Sequence, residues 1–279
     1  MPELPEVETI KNAVEKFACN ARILSAQVRQ PRLRELVPAD FAERINGTRI
    51  TGLTRIAKYM IINLNNGLSI IWHFGMSGKI KTEALMPKTL DKHDHIIITT
   101  DKGIIIYNDT RRFGLVTLCE SEKLRQHRCF ARIGLDPWDE NLTADYLLNK
   151  FKNRKTAVKT ALLDQEIICG IGNIYASEIL YKARILPQRK AESVTAEEAT
   201  EIISYTREIL SDSIKAGGST IHDYKRPDGD IGYFQQKHCV YNKTGQRCPD
   251  CKCNIQKSGG IQKDIQGGRS TFYCPVLQK

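Results

Sequence analysis

The spacing of apolar residues changes near residue 20 and again near residue 137. Val7, Ile10, Val14 and Phe17 recur at helical intervals and form one apolar stripe. Pro5 suits the first turn of a helix. The pattern predicts an N-terminal helix that packs its stripe on a core. From Arg22 to about Leu118 the period shortens to β-rich runs, among them Ile50–Leu53, Tyr59–Leu64, Leu68–His73, Ile96–Thr100 and Ile104–Tyr107. Turn signals such as Asn65-Asn66-Gly67 and Asp101-Lys102-Gly103 separate them. An antiparallel β-sandwich with the first helix packed on it is expected.

Beyond Pro137 the helical period returns. Leu142–Lys152 and Ala157–Asp164 read as helices, followed by a tight Gly170-Ile171-Gly172 turn and a helix opening near Asn173. Thr195–Ala216 reads as a long amphipathic helix with Ala196, Ala199, Ile203 and Ile209 on its apolar face, closed by Gly217-Gly218 as a C-cap. Residues 217–235 lack periodicity and read as a loop, and residues 239–279 form a cysteine-bearing tail without internal repeat. The expected fold class is α+β and multidomain: a β-sandwich over 1–132, a helical region with its loop over 133–235, and a small C-terminal hairpin module over 236–279.

Charge narrows the partners. Lys plus Arg number 42 against 32 Asp plus Glu, a net charge of +10, so an anionic partner is expected. Nucleic acid comes first and an anionic membrane surface second. No apolar run reaches the ~18 residues a spanning helix needs. The N-terminus is acidic and amphipathic, unlike a secretion signal, and a cytosolic protein is expected. Of nine cysteines, Cys248, Cys251, Cys253 and Cys274 crowd into the end of the chain, which reads as metal ligation more than a disulfide framework.

Candidate chemistry starts at Met1-Pro2-Glu3-Leu4-Pro5-Glu6-Val7-Glu8. Removal of Met1 leaves Pro2 with a free secondary amine, and an α-amino group with a pKa of about 8 is partly nucleophilic near neutral pH. Such an amine can attack an electrophilic carbon and form an iminium, with Glu3 beside it as a proton shuttle. Four further blocks stand out: Lys58 in Arg55-Ile56-Ala57-Lys58-Tyr59; His73-Phe74-Gly75-Met76-Ser77-Gly78; Asp109-Thr110-Arg111-Arg112-Phe113-Gly114; and Arg154 to Lys159 leading to Gly170-Ile171-Gly172-Asn173. Each has a bland alternative alone: a strand-edge lysine, core packing for Met76, an ordinary turn for the glycines.

Together and in this order the blocks resemble the formamidopyrimidine-DNA glycosylase family of bacterial bifunctional base-excision enzymes, over nearly the whole chain. Leu4 favours that branch over the related endonuclease VIII branch, which reads Pro-Glu-Gly-Pro there. The resemblance implies that Pro2, Glu3, Lys58 and Arg269 are catalytic, with Lys58 and Arg269 on phosphate. It implies DNA contacts by His73, Met76, His93, Arg111, Phe113, Arg154, Lys159 and Asn173. An enzyme acting on a base in a duplex must flip it out; Met76 and Phe113 would enter the gap as apolar wedges and Arg111 would bond the orphaned partner base, normally cytosine. Asn173 at a helix N-terminus would bind backbone phosphate, with Arg154 and Lys159 adding charge. Ser219 and Thr220 match a base-covering loop, in which His222 replaces the family's frequent Lys or Arg. Glu6 would support the active-site hydrogen bonds.

The tail departs from the family's four-cysteine zinc ribbon. Cys248 and Cys251 are present and Cys274 follows, but the last ligand position holds Leu277. Structural zinc takes four ligands almost without exception. The fourth would come from Cys253, Cys239 or His238, or the hairpin folds without metal. No organic cofactor is expected.

The resemblance implies a monomeric enzyme acting on double-stranded DNA that contains oxidised bases or abasic sites. It would remove 8-oxoguanine and formamidopyrimidines through a Pro2 Schiff base, followed by β,δ-elimination. The rival readings are an endonuclease VIII-like glycosylase for oxidised pyrimidines and a non-catalytic binder of damaged DNA.

Overall fold

A computed structural model describes residues 1–219, 233–252 and 254–279. They divide into two compact units, one of Met1–Ala131 with Ile214–Gln235 and one of Arg132–Ser213 with Gln236–Lys279.

In the first unit, helix α1 (Leu4–Ala18) buries Leu4, Val7, Ile10, Val14 and Ala18. Each large side chain so buried contributes on the order of 1.5–3 kcal/mol. Phe17 is only partly buried and packs on the core at Gly103, where a Cβ would fall 2.5 Å from the ring. Two four-stranded sheets follow. One is ordered β1-β6-β7-β5 and is built from β1 (Ile23–Val28), β5 (Lys79–Glu83), β6 (Asp94–Thr100) and β7 (Gly103–Asn108). The other is ordered β2-β3-β4-β8 and is built from β2 (Ile50–Ile56), β3 (Tyr59–Leu64), β4 (Leu68–His73) and β8 (Leu115–Glu120). All strand pairs are antiparallel, and Trp72, Tyr107, Met60, Ile70 and Ile98 share one core cluster with the stripe of α1. The expected sandwich with its packed helix is what forms. A short helix α2 (Phe41–Ile45) buries Phe41 and Ile45.

The second unit is helical. Helix α3 (Ala144–Phe151) starts two residues later than its apolar pattern, because the Thr143 hydroxyl accepts from Tyr146 N at 3.2 Å and caps it. Helix α4 (Val158–Leu162) is short, α5 spans Asn173–Lys182, and α6 spans Ala196–Lys215. The tail holds α7 (Ile255–Ser258) and a hairpin of β9 (Gln262–Gln266) and β10 (Arg269–Tyr273). Its two turn residues, Gly267 and Gly268, both have positive φ, +54° and +73°, which only glycine adopts at little cost. No described helix is long and apolar enough to cross a membrane.

Candidate active site and nucleic-acid interface

Pro2 and Glu3 are buried at the start of α1. Glu3 is the N-cap, and a capping box closes around it: its side chain accepts from Glu6 N, and Glu6 Oε2 accepts from Glu3 N at 2.9 Å. The other oxygen of Glu6, Oε1, accepts from Ser219 N at 2.8 Å. Gly218 makes this approach possible, because a Cβ there would lie 3.1 Å from Glu6 Oε1 and its φ is +80°. One buried carboxylate thus ties the N-terminal segment to the first residue of the loop read as base-covering. Thr220 and His222 lie outside the described residues.

Lys58 sits in the two-residue turn between β2 and β3, after Ala57, whose φ of +51° is left-handed. That conformation costs an L-residue roughly 1–2 kcal/mol, and a specific brace holds it: Arg55 Nη1 donates to Ala57 O at 3.1 Å while Arg55 Nε donates to Glu8 Oε2 at 2.8 Å. Arg55 and Glu8 had no role in the sequence reading; the ion-pairable charges were visible, their pairing across α1 and β2 was not.

His73 is buried. Its Nδ1 accepts from Gly75 N at 3.0 Å and faces Arg34 Nη2 at 3.3 Å, so the ring proton belongs on Nε2. Burial, then the positive charges of Arg34 and Lys58, lower its pKa to about 3, so the imidazole is neutral at physiological pH. A contact with phosphate from His73 would therefore be a neutral hydrogen bond. His93 is half-buried and its ring meets His95 edge-on at 6.1 Å.

Met76 and Phe113 are large apolar side chains left 41% and 44% exposed at loop tips, which is what an intercalating wedge requires. The Arg111 guanidinium lies 4.7 Å from the centre of the Phe113 ring, so arginine and wedge are preassembled.

In the second unit, Lys159 departs from the sequence reading. It is fully buried, and its Nζ donates to Asn173 Oδ1 at 2.7 Å, Ser270 O at 2.9 Å and Thr271 Oγ1 at 2.8 Å. Its ammonium is enclosed by these acceptors instead of projecting from the surface, and it acts as an internal strut between α4, α5 and β10. Asn173 Nδ2 donates to the same Ser270 carbonyl at 2.9 Å. The side chain of Asn173 is thus fixed from both ends. Arg154 is half-buried and pairs with Asp164 at 2.8 Å. Arg269 is exposed at the start of β10, directly after the Gly267-Gly268 turn.

Cys248, Cys251 and Cys274 are buried, with their sulfurs all within 4.8 Å of one another. Three donors of a thiolate metal site are therefore assembled. Leu277 is partly buried and packs on the same cluster, where it offers no donor. Among the described residues neither Cys239 nor His238 joins the group, and Cys253 lies outside them.

A sequence model of the formamidopyrimidine-DNA glycosylase N-terminal domain matches residues 1–116, and one of the H2TH domain of the same enzymes matches residues 133–225. The chain is 40% identical to a formamidopyrimidine-DNA glycosylase of Rhodospirillum rubrum and 39% identical to one of Dinoroseobacter shibae, with 100% of each chain covered. Its fold resembles the crystal structure of a Lactococcus lactis enzyme variant in complex with DNA containing a formamidopyrimidine deoxyguanosine lesion, with TM-score 0.90, 32% identity and 100% coverage of both chains. It also resembles the Lactococcus lactis enzyme with abasic-site DNA, with TM-score 0.90 and 32% identity over 99% of each chain.

Proposed function

The chain belongs to the formamidopyrimidine-DNA glycosylase family, and from that membership we propose how its residues divide the work of the reaction. The protein is a base-excision-repair glycosylase and abasic-site lyase whose substrate is duplex DNA with oxidised purines or abasic sites. Freed of Met1, the Pro2 nitrogen attacks C1′ of the damaged nucleotide. The C1′–N bond breaks, the base leaves with a proton, and the sugar opens to an iminium on Pro2. Glu3 moves the proton at the ring oxygen. The iminium acidifies C2′, loss of a C2′ proton expels the 3′ phosphate, and a second elimination expels the 5′ phosphate, leaving a one-nucleotide gap. Lys58 and Arg269 grip the flanking phosphates, and His73, His93, Arg154 and Asn173 hold the backbone.

Met76 and Phe113 fill the gap, and Arg111 bonds the orphaned base. Such contacts position the enzyme and read a missing partner, not a sequence. Lys159 is assigned to holding Asn173 and the hairpin. Ser219, held by Glu6, starts the loop over the flipped base, with Thr220 beside it. The three stretches 1–132, 133–235 and 236–279 are taken as functional modules, and the bacterial cytoplasm as the site of action.

The three-cysteine cluster is assigned to zinc. Cys248, Cys251 and Cys274 would hold it; three buried thiols at contact distance support this, and Leu277 does not supply the fourth ligand. When bound, the ion would stabilise the hairpin that bears Arg269.

The observation that supports this reading most is the burial of Pro2 and Glu3 at a helix start fixed by Glu6. Borohydride reduction on an 8-oxoguanine:cytosine duplex tests it: a covalent adduct at the N-terminal residue is expected. DNA binding without any adduct would leave a non-catalytic binder. A panel that includes oxidised-pyrimidine duplexes separates the endonuclease VIII-like alternative, which predicts faster trapping on those.

A further inference from the structure

The exposed tips Met76, Arg111 and Phe113 sit on a buried anchor that the reaction itself does not use. Asp109 is fully buried. Its Oδ1 accepts from Ser77 Oγ at 2.5 Å and from Arg111 N at 3.2 Å; its Oδ2 accepts from Gly114 N at 2.8 Å and from Tyr107 Oη at 3.1 Å. The Ser77 hydroxyl also accepts from Arg111 N at 3.1 Å. A buried charge would be costly alone, but four donors solvate it. The Tyr107 hydroxyl is held protonated by burial first and by Asp109 second, so it remains a donor. Behind these bonds the two loops touch backbone to backbone. A Cβ at Gly75 would fall 2.3 Å from the Phe113 carbonyl carbon, and one at Gly114 would fall 1.7 Å from Tyr107 Oη. His95 Nε2 lies 2.8 Å from Asp109 O and fixes the backbone of the same residue.

We propose that Asp109, through Ser77, is the positioning residue for opposite-base recognition: it locks the loop of Met76 and the loop of Arg111 and Phe113 into one rigid reader that enters the duplex as a unit. The inference rests on the proposed roles of those three tips. Donors from Ser77, Tyr107, Arg111 and Gly114 converge on one carboxylate. A wedge and an arginine on independently moving loops would pay the ordering entropy of each loop on insertion, whereas a locked pair is preorganised. Discrimination between partner bases depends on holding Arg111 at one edge, so it is the property most sensitive to slack.

The test compares wild type, Ser77→Ala, Ser77→Thr and Asp109→Asn. Two readouts are taken: the ratio of single-turnover excision rates for 8-oxoguanine opposite cytosine and opposite adenine, and strand cleavage at an abasic site in a single-stranded oligonucleotide. The single strand has no partner base and no stack to open. Ser77→Ala removes the hydroxyl's bond to Asp109 and its bond from Arg111 N, so the cytosine-to-adenine ratio is expected to fall about tenfold while single-strand cleavage is kept. Ser77→Thr restores the hydroxyl and the ratio. Asp109→Asn, which loses acceptor capacity at one oxygen, falls further. A Ser77→Ala ratio equal to wild type, or a loss shared equally by both readouts, overturns the lock. Wild type that cleaves neither substrate overturns both the lock and the functional reading beneath it.

Discussion

Glu6 Oε1 and the backbone nitrogen of Ser219 meet at 2.8 Å across 213 residues of chain. The same carboxylate accepts from Glu3 N at 2.9 Å through its other oxygen. Glu3, next to the proposed nucleophile Pro2, and Ser219 thus depend on one buried group. Glu6→Gln offers one acceptor oxygen where two are used, so one buried N–H loses its partner. The expected cost is about 1–3 kcal/mol of unfolding free energy, measurable by urea denaturation. Borohydride trapping should slow at least about tenfold with duplex affinity kept, since a misaimed amine affects chemistry more than binding. Trapping at the wild-type rate would show that this bond does not aim the amine.

Lys159 and Arg269 are both cations from blocks whose resemblance implies contact with DNA, but their surroundings predict opposite behaviour. Arg269→Ala should reduce the dependence of duplex affinity on log salt by about one unit, as for a lost phosphate contact. Lys159→Met should leave that slope unchanged, because Nζ is buried among Asn173, Ser270 and Thr271. It should instead destabilise the chain by about 1–3 kcal/mol, because buried acceptors on Asn173, Ser270 and Thr271 lose their donor. Fluorescence anisotropy titrations over a salt series give the slopes. A reduced slope for Lys159→Met would return the residue to the DNA surface.

This contrast shows what the sequence could tell. Tyr59–Leu64 and Leu68–His73 were legible to the residue, because each is an apolar run bounded by turn residues. β1 and β5 were not delimited: β5 buries only Ile80 among Lys and Thr, so neither period shows. Candidate site residues could be picked out wherever a motif is local, as in the first eight residues. It was not legible where partners are distant. Nothing near Lys159 signals that two of its acceptors, Ser270 and Thr271, lie more than a hundred residues on, and nothing near Asp109 names Ser77 as its donor.

His73 makes a pH prediction with a definite sign. In the unfolded chain it protonates near 6.5; in the fold, burial and the charges of Arg34 and Lys58 hold it neutral down to about 3. The unfolded state therefore takes up a proton first as pH falls. The contribution to stability is fully present above about 6.5 and is lost as pH drops toward 3, by at most about 1.4 kcal/mol per pH unit. Between pH 7 and 5, wild type should lose about 2 kcal/mol more than His73→Asn, whose side-chain oxygen can still accept from Gly75 N. Equal losses in urea denaturation at the two pH values would assign the acid sensitivity elsewhere.

Leu277 offers a gain-of-function test of the cysteine cluster. Cys248, Cys251 and Cys274 present three sulfurs within 4.8 Å, and Leu277 packs on the same cluster without a donor. Leu277→Cys would complete a four-thiolate set of the kind structural zinc takes. Zinc content after dialysis against a mild chelator should rise to one ion per chain. The melting temperature should become zinc-dependent, since a ligand at a hundred times its Kd stabilises the fold by about 2.7 kcal/mol. Wild type is expected to hold zinc more weakly than this variant. If instead wild type already retains one ion through the chelator and Cys253→Ser does not, Cys253 is the fourth ligand and Leu277→Cys should add nothing. If Leu277→Cys binds no zinc at all, the cluster is a thiol core under the Arg269 hairpin and not a metal site.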